Sequence, residues 1–207
     1  EDERETRIHG KFFHLRGLVY KEFSEAHQVV CDHKNVEEER CQYHYKYPNP
    51  VVCVLDPHDR NPHHVLWAYL DRDNDVVVDY ETVIHCELDE LAKKIIQIEK
   101  ARGYKMRKRI IDPNFGRKPS KVGANLSVMQ ELARNECRFY EANDNIELGH
   151  MIVRDYLHWD SAKPMTALNK PKIMFSKERV PQTIRSMRNY QFAEWKGETK
   201  NERDPKE

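Results

Sequence analysis

Two apolar runs in this chain each stop at an aspartate that precedes a proline. VVCVL (51–55) meets Asp56–Pro57, and RII (109–111) meets Asp112–Pro113. The first run has the composition of a buried strand. A carboxylate left unpaired inside such a strand costs several kcal/mol, so it is expelled, paired or bound to a metal. Any fold for this chain therefore has to deliver two strand ends, each tipped with an acid, to its surface. Asp-Pro is also an ordinary way to open a turn, and each aspartate taken singly fits that reading. As a pair at two strand ends, they also admit metal ligation.

The rest of the pattern supplies a scaffold. Three strand-like runs, 51–55, 65–70 and 76–81, come in succession, and the turn-rich DRDND (71–75) joins the last two as an antiparallel hairpin. Residues 87–103 place Leu88, Leu91, Ala92, Ile95 and Ile98 at helical spacing, with Gly103 as the stop. After the run at 109–111, the spacing predicts a helix over 126–134, a strand over 138–141 and a helix over 146–157 capped by Asn143 or Asp144. A strand at 173–175 and a helix over about 181–190 follow. Residues 11–30, around Gly17, are expected as short strands in a hairpin or extended arm, and 32–50 as a polar, proline-bearing loop. Strand–helix alternation after an antiparallel meander implies an α/β fold, with a mixed sheet and helices on its faces. Were the strands ending at Asp56 and Asp112 parallel neighbours, both carboxylates would reach one sheet edge, where α/β folds bind ligands.

Charge is informative only locally. Lysine plus arginine equals aspartate plus glutamate at 35 each. Between Lys100 and Lys121, however, nine basic residues face one acid, Asp112. No apolar stretch approaches the ~20 residues of a bilayer span, and no signal-peptide pattern is present. The opening EDERETRIHG, without an initiator methionine, is expected to be a piece of a longer protein. The five cysteines (Cys31, Cys41, Cys53, Cys86, Cys137) fit reduced thiols better than a disulfide framework. Cys31 with His33 and Cys41 with His44 invite a zinc reading, but Cys-x-His is not the usual knuckle and zinc is not expected. There is no glycine-rich Gly-Lys-Ser/Thr loop for a nucleotide.

Several segments together resemble the nuclease domain of the large terminase subunit of tailed bacteriophages, a branch of the ribonuclease H-like superfamily. They are RIHGKFFHLRGLVYKEF (7–23), VVCVLDPHDRNPHH (51–64), RIIDPNFGRK (109–118), EANDNIELGHMIVRDYL (141–157) and RNYQFAEW (188–195). The resemblance implies a mixed sheet of five or more strands, helices on both faces and an N-terminal β-hairpin arm. It also implies two regions: an arm and loop over 1–50 leading from an ATPase motor domain, and a nuclease core over 51–207 with a truncated C-terminal end. The implied activity is metal-dependent endonucleolytic cutting of concatemeric double-stranded viral DNA, with little sequence specificity, in the host cytoplasm. Implied partners are DNA, the motor domain, the portal and the small terminase subunit. The family's third acid follows a later stretch and has no match here; Asp204 precedes its expected position.

Phosphodiester hydrolysis calls for hard cations, because an anionic substrate repels hydroxide. Mg²⁺ and Mn²⁺ prefer carboxylate oxygens, so Asp56 is expected to bridge two metals and Asp112 to hold one. His58 or His64 could complete a metal shell, and His63 lies beside them; hydrogen bonding within the turn is the plainer role for all three. Arg60, Lys108, Arg109, Arg117, Lys118 and Lys121 bracket the acids and are candidates for phosphate contacts. Two other readings remain open. One is a ribonuclease H, resolvase or transposase relative; the other is a DNA-docking module whose acids are vestigial.

Overall fold

The computed structural model describes residues 18–30, 49–121 and 125–191 of the 207. It begins with α1 (Glu25–Gln28) and β1 (Val29–Val30), then β2 (Pro50–Asp56), β3 (His63–Leu70) and β4 (Val76–Ile84). After α2 (Leu88–Ala101) come β5 (Lys105–Ile111), α3 (Pro113–Gly116) and α4 (Val128–Arg134). The chain continues through β6 (Tyr140–Glu141), α5 (Ile146–Leu157), β7 (Ile173–Ser176) and α6 (Pro181–Asn189). The strands form one mixed sheet of seven in the order β1-β7-β4-β3-β2-β5-β6. β2, β3 and β4 are an antiparallel meander, and β5 returns parallel to β2 on its free side.

Both faces of the sheet are covered, as the alternation of elements implies. Val51, Cys53 and Leu55 of β2 and Val65, Trp67 and Tyr69 of β3 point to one face, where Leu91, Ala92 and Ile95 of α2 and Leu132 of α4 close the core. On the other face Val78, Phe175, Leu157 of α5 and Ile184 of α6 form a second cluster, with Tyr20, Phe23 and Val29 packed against it. Val52 and Val54 are only half-buried, so β2 is not sealed on both sides despite its five apolar residues. The second face is the thinner one over β2, and that leaves room beside Asp56. Burial pushes the Cys53 thiol well up, and the Cys137 thiol up to about 12, so both stay protonated. Among the described residues Cys53, Cys86 and Cys137 are all free.

Local chemistry sets the boundaries. Gly103 ends α2 in the left-handed region at φ +64, as a helix stop requires. Gly116 is needed for a different reason. A Cβ there would lie 2.9 Å from Met129 Sδ and 3.2 Å from Ile111 Cγ2, so the turn after Asp112 can pack this close only without a side chain. Ser127 and Gln130 form a reciprocal capping box on α4. The α5 cap is Asn145, whose side chain accepts from Leu148 N at 2.9 Å, and not Asn143 or Asp144. Asn143 instead accepts from Asn145 N and makes the preceding turn.

The expected hairpin around Gly17 lies partly outside the described residues. Within them, Leu18 bridges Gln191, residues 25–28 are helical instead of extended, and Val29–Val30 pairs in parallel with β7. Cys31, His33, Cys41, His44 and Asp204 also lie outside the described residues. Among those described, no helix is long and apolar enough to cross a membrane.

One buried ion pair ties β5 to the rest. Glu99 of α2 receives Arg109 Nε at 2.9 Å and Nη2 at 2.5 Å, and Trp67 Nε1 donates to the same carboxylate at 3.3 Å. Glu99 is nearly sealed, its side chain 5% exposed against 19% for Arg109. Removing one partner of a buried pair strands the other charge. Arg109→Ala is therefore expected to lower the unfolding free energy by about 3 kcal/mol, read from the urea midpoint at unchanged slope.

Candidate functional site

The register of β2 on β5 brings the two sequence-predicted acids together. Leu55 pairs with Ile111 in the parallel ladder, and Asp112 N donates to Leu55 O at 3.4 Å. Asp56 and Asp112 are the next residues on each strand, so they stand on neighbouring strand ends at one rim. Asp56 is the more open, with its side chain 62% exposed and its Oδ2 3.5 Å from His58 Nε2. Asp112 also performs the turn role that its proline neighbour suggests. Its Oδ1 accepts from Asn114 N and its Oδ2 from Phe115 N, each at 3.2 Å, capping α3. Asn114 Nδ2 also reaches Oδ1, at 3.5 Å, so of the roughly four lone-pair directions of a carboxylate the one left open is on Oδ2.

The three histidines of the β2–β3 loop have separate fates. His63 accepts from His58 N at its Nδ1 and donates from Nε2 to Cys86 O at 3.0 Å. Both ring nitrogens are engaged, and burial lowers its pKa, so His63 is a structural turn residue. His58 lies against Asp56. His64 is the antiparallel partner of Asp56 across the β2–β3 pair and is held at Nε2 by Glu81 Oε2 at 3.0 Å. Sequence reasoning does not find Glu81 as a site residue. Its only signal is an acid in VVVDYETVI, where Asp79 and Glu81 interrupt a strand that is otherwise apolar or neutral.

The basic candidates are not equivalent. Arg109 is engaged by Glu99, as described above. Arg117 donates to Glu141 through Nε at 2.7 Å and Nη2 at 2.5 Å, on the surface. Lys118 Nζ lies 3.5 Å from Asp59 Oδ2 and over the Phe115 ring, and Lys121 Nζ donates to Asp59 O at 3.4 Å. Lys108 Nζ sits 5.3 Å from the centre of the Tyr140 ring. Arg60 is exposed in the β2–β3 loop. Apart from Arg109, these cations are exposed around the β2 and β5 ends or along β5.

A second acidic group occupies the opposite end of the sheet. Asp71, Asp73 and Asp75 each offer an oxygen within 4.8 Å of the others and could hold a metal ion. They form the β3–β4 turn, in which Asp71 Oδ1 accepts from Asp73 N and Asp75 N. Since Val51 pairs with Tyr69, this turn adjoins the start of β2, a strand length of about 20 Å from Asp56. Lys170 already lies on the group, 3.1 Å from Asp73 Oδ2 and 2.5 Å from Asp75 Oδ2. Its hydrogen bond to Asp75 in particular raises the Lys170 pKa.

No protein-family model and no curated protein matches the sequence. Solved structures do. The large terminase of a thermophilic bacteriophage, in complex with ADP, superposes with a TM-score of 0.61 at 15% identity, over 86% of this chain and 38% of that one. The same terminase in complex with ATP-γ-S gives 0.60 at 16%, over 86% and 38%. The nuclease domain of the P22 large terminase gives 0.53 at 13% identity, over 84% of this chain and 79% of the P22 domain. The chain has the fold of a large-terminase nuclease domain. The seven-stranded mixed sheet with helices on both faces is consistent with the expected ribonuclease H-like class, and the chain spans less than two-fifths of the thermophilic phage terminase.

The Asp71–Asp75 turn makes its own prediction. With Lys170 supplying the cation, Lys170→Met leaves Asp75, 8% exposed, without its charge partner. We expect a loss of about 2 kcal/mol in stability, and a larger rise in melting temperature on adding Mn²⁺ for the variant than for the unsubstituted chain.

Proposed function

We propose that this chain is the nuclease part of a viral DNA-packaging terminase, a metal-dependent endonuclease that cuts concatemeric double-stranded DNA with little sequence specificity. The reading is carried by one observation: Asp56 and Asp112 end adjacent parallel strands of a sheet that superposes on terminase nuclease domains. The donor set fits the hard cations Mg²⁺ and Mn²⁺, being carboxylate oxygen first with imidazole near by. Asp56, open to solvent, is assigned the main ligand role, and Asp112 the second, with His58 or His64 at the margin.

Divalent ions bound there would supply an activated water and offset the charge that develops on the phosphate. The chain's own residues do the rest. The α3 cap fixes the Asp112 carboxylate, because two backbone N–H groups define its plane. Arg60, Lys108, Arg117, Lys118 and Lys121 are assigned to the DNA backbone; their contacts are independent of sequence and weaken with salt. Arg109 is left out of that set because Glu99 holds it inside. The nucleotide-binding motor, the portal and the small subunit belong to the larger assembly that this part would serve in an infected cell.

Supercoiled plasmid tests the reading. With Mn²⁺ the chain should nick and then linearise it, EDTA should stop the reaction, and Asp56→Asn should slow it by about 100-fold or more, the scale lost when one preorganised electrostatic group is removed. Preference for an RNA–DNA hybrid would favour a ribonuclease H relative. Inertness, together with equal Mn²⁺ binding by the chain and by Asp56→Asn in calorimetry, would leave only a docking module.

A further inference from the structure

Glu81 is a buried carboxylate, 8% exposed, on the same sheet face as Asp56. It is not idle. Oε1 accepts from Gln182 N at 2.5 Å; Oε2 accepts from Thr183 N at 2.9 Å and from the Thr183 hydroxyl at 2.6 Å. These are the free amides of the first turn of α6, whose own N-cap residue, Val180, brings no side-chain cap. Each oxygen already takes a backbone N–H, which can only donate, and Oε2 takes the Thr183 hydroxyl as well, so Glu81 acts as an acceptor throughout. Its fourth contact, His64 Nε2 at 3.0 Å, must therefore be the donor.

The proton on Nε2 has a consequence for the other ring nitrogen. In a neutral imidazole one nitrogen carries the proton and the other keeps a lone pair. Among the described residues Nδ1 of His64 has no hydrogen-bond partner, and the side chain is 32% exposed. His64 stands directly across from Asp56 in the antiparallel pair, and Glu81 is diagonal to it through the pairing of His64 with Val83. Cross-strand neighbours hold their Cβ atoms about 4.5–5.5 Å apart. A carboxylate that fixes the far nitrogen of a histidine is the usual support behind an imidazole ligand.

We propose that Glu81 is a positioning residue for the Asp56 rim, fixing His64 in the tautomer whose Nδ1 lone pair serves as a nitrogen ligand beside the Asp56 carboxylate. The proposal rests on the metal-dependent reading above and deepens it, giving the rim a mixed oxygen and nitrogen donor set. It also joins the rim to α6, since one carboxylate holds both the helix start and the ring.

Long-range proton–nitrogen NMR of the chain labelled in its histidines reads the tautomer without any turnover. The expected result is an Nε2-protonated His64, with Mn²⁺ broadening both the Asp56 amide and the His64 ring. In calorimetry, His64→Gln and Glu81→Gln should each weaken Mn²⁺ binding by roughly 10-fold, and the double variant no further than His64→Gln alone. Circular dichroism checks that α6 and the sheet persist. An Nδ1-protonated ring, broadening at Asp56 that spares His64, or additive losses in the double variant would overturn the proposal while leaving the nuclease reading intact. Broadening at neither residue would overturn both.

Discussion

Everything at the rim depends on β2 and β5 lying side by side in parallel with Leu55 opposite Ile111. Side chains alternate along a strand, so a slip of one residue would turn Ile111 out of the core and move Asp112 away from its place beside Asp56. That register is heavily determined. Ile111 is fully buried among α2, α4 and Phe115, and Gly116 lets the following turn pack on Met129 and Ile111. Arg109, two residues earlier, is locked to Glu99 and through it to Trp67 of β3. The core and the ion pair thus set one register, and the two carboxylates follow from it.

The meander, α2, α5 and α6 are legible in the sequence because their apolar periods are clean and their stops are explicit, as with Gly103. The pair of acids is legible for the same reason: an apolar run that ends on aspartate names its own strand end. Less visible are contacts made across long separations. Nothing near Arg109 in the sequence distinguishes it from Lys108, because Ile110 and Ile111 leave open which side of β5 is covered. In the fold Arg109 shares the side of buried Ile111 and meets Glu99 of α2, while Lys108 is exposed. The α5 cap falls one or two residues beyond its expected place because Asn143, Asp144 and Asn145 are all good caps, and the choice among them falls to backbone geometry.

Glu81 and Asp79 show a further limit of sequence reading. Acids in the middle of a strand look like solvent-facing positions in a period of two. Here a bulge between Trp67 and Ala68 makes Asp79 the extra residue of β4, and it binds Arg179 at 2.7 Å and the Tyr104 hydroxyl. Burial, and then the Asp79 charge, push the Tyr104 pKa up. Glu81, two residues on, meets the start of α6. Both acids serve the segment around Arg179–Thr183, where β4 has run past β7 and its edge needs covering; Glu81 N donates to Arg179 O there. That segment's arrival cannot be anticipated from β4 alone.

The two ends of the sheet carry acids of the same kind under opposite constraints. At the β3–β4 turn, Asp71 is absorbed by backbone amides, and Asp73 and Asp75 are met by Lys170, so the cation is part of the chain. At the β2–β5 rim, Asp112 receives only the amides of α3, and Asp56 faces a single histidine at 3.5 Å. No lysine or arginine ion pair reaches Asp56 or Asp112 among the described residues; Lys118 pairs with Asp59 instead. At the turn the fold supplies Lys170 as that partner. The rim keeps its acids without such a partner and beside exposed basic residues, so the two ends of one sheet set the same residue type in different surroundings.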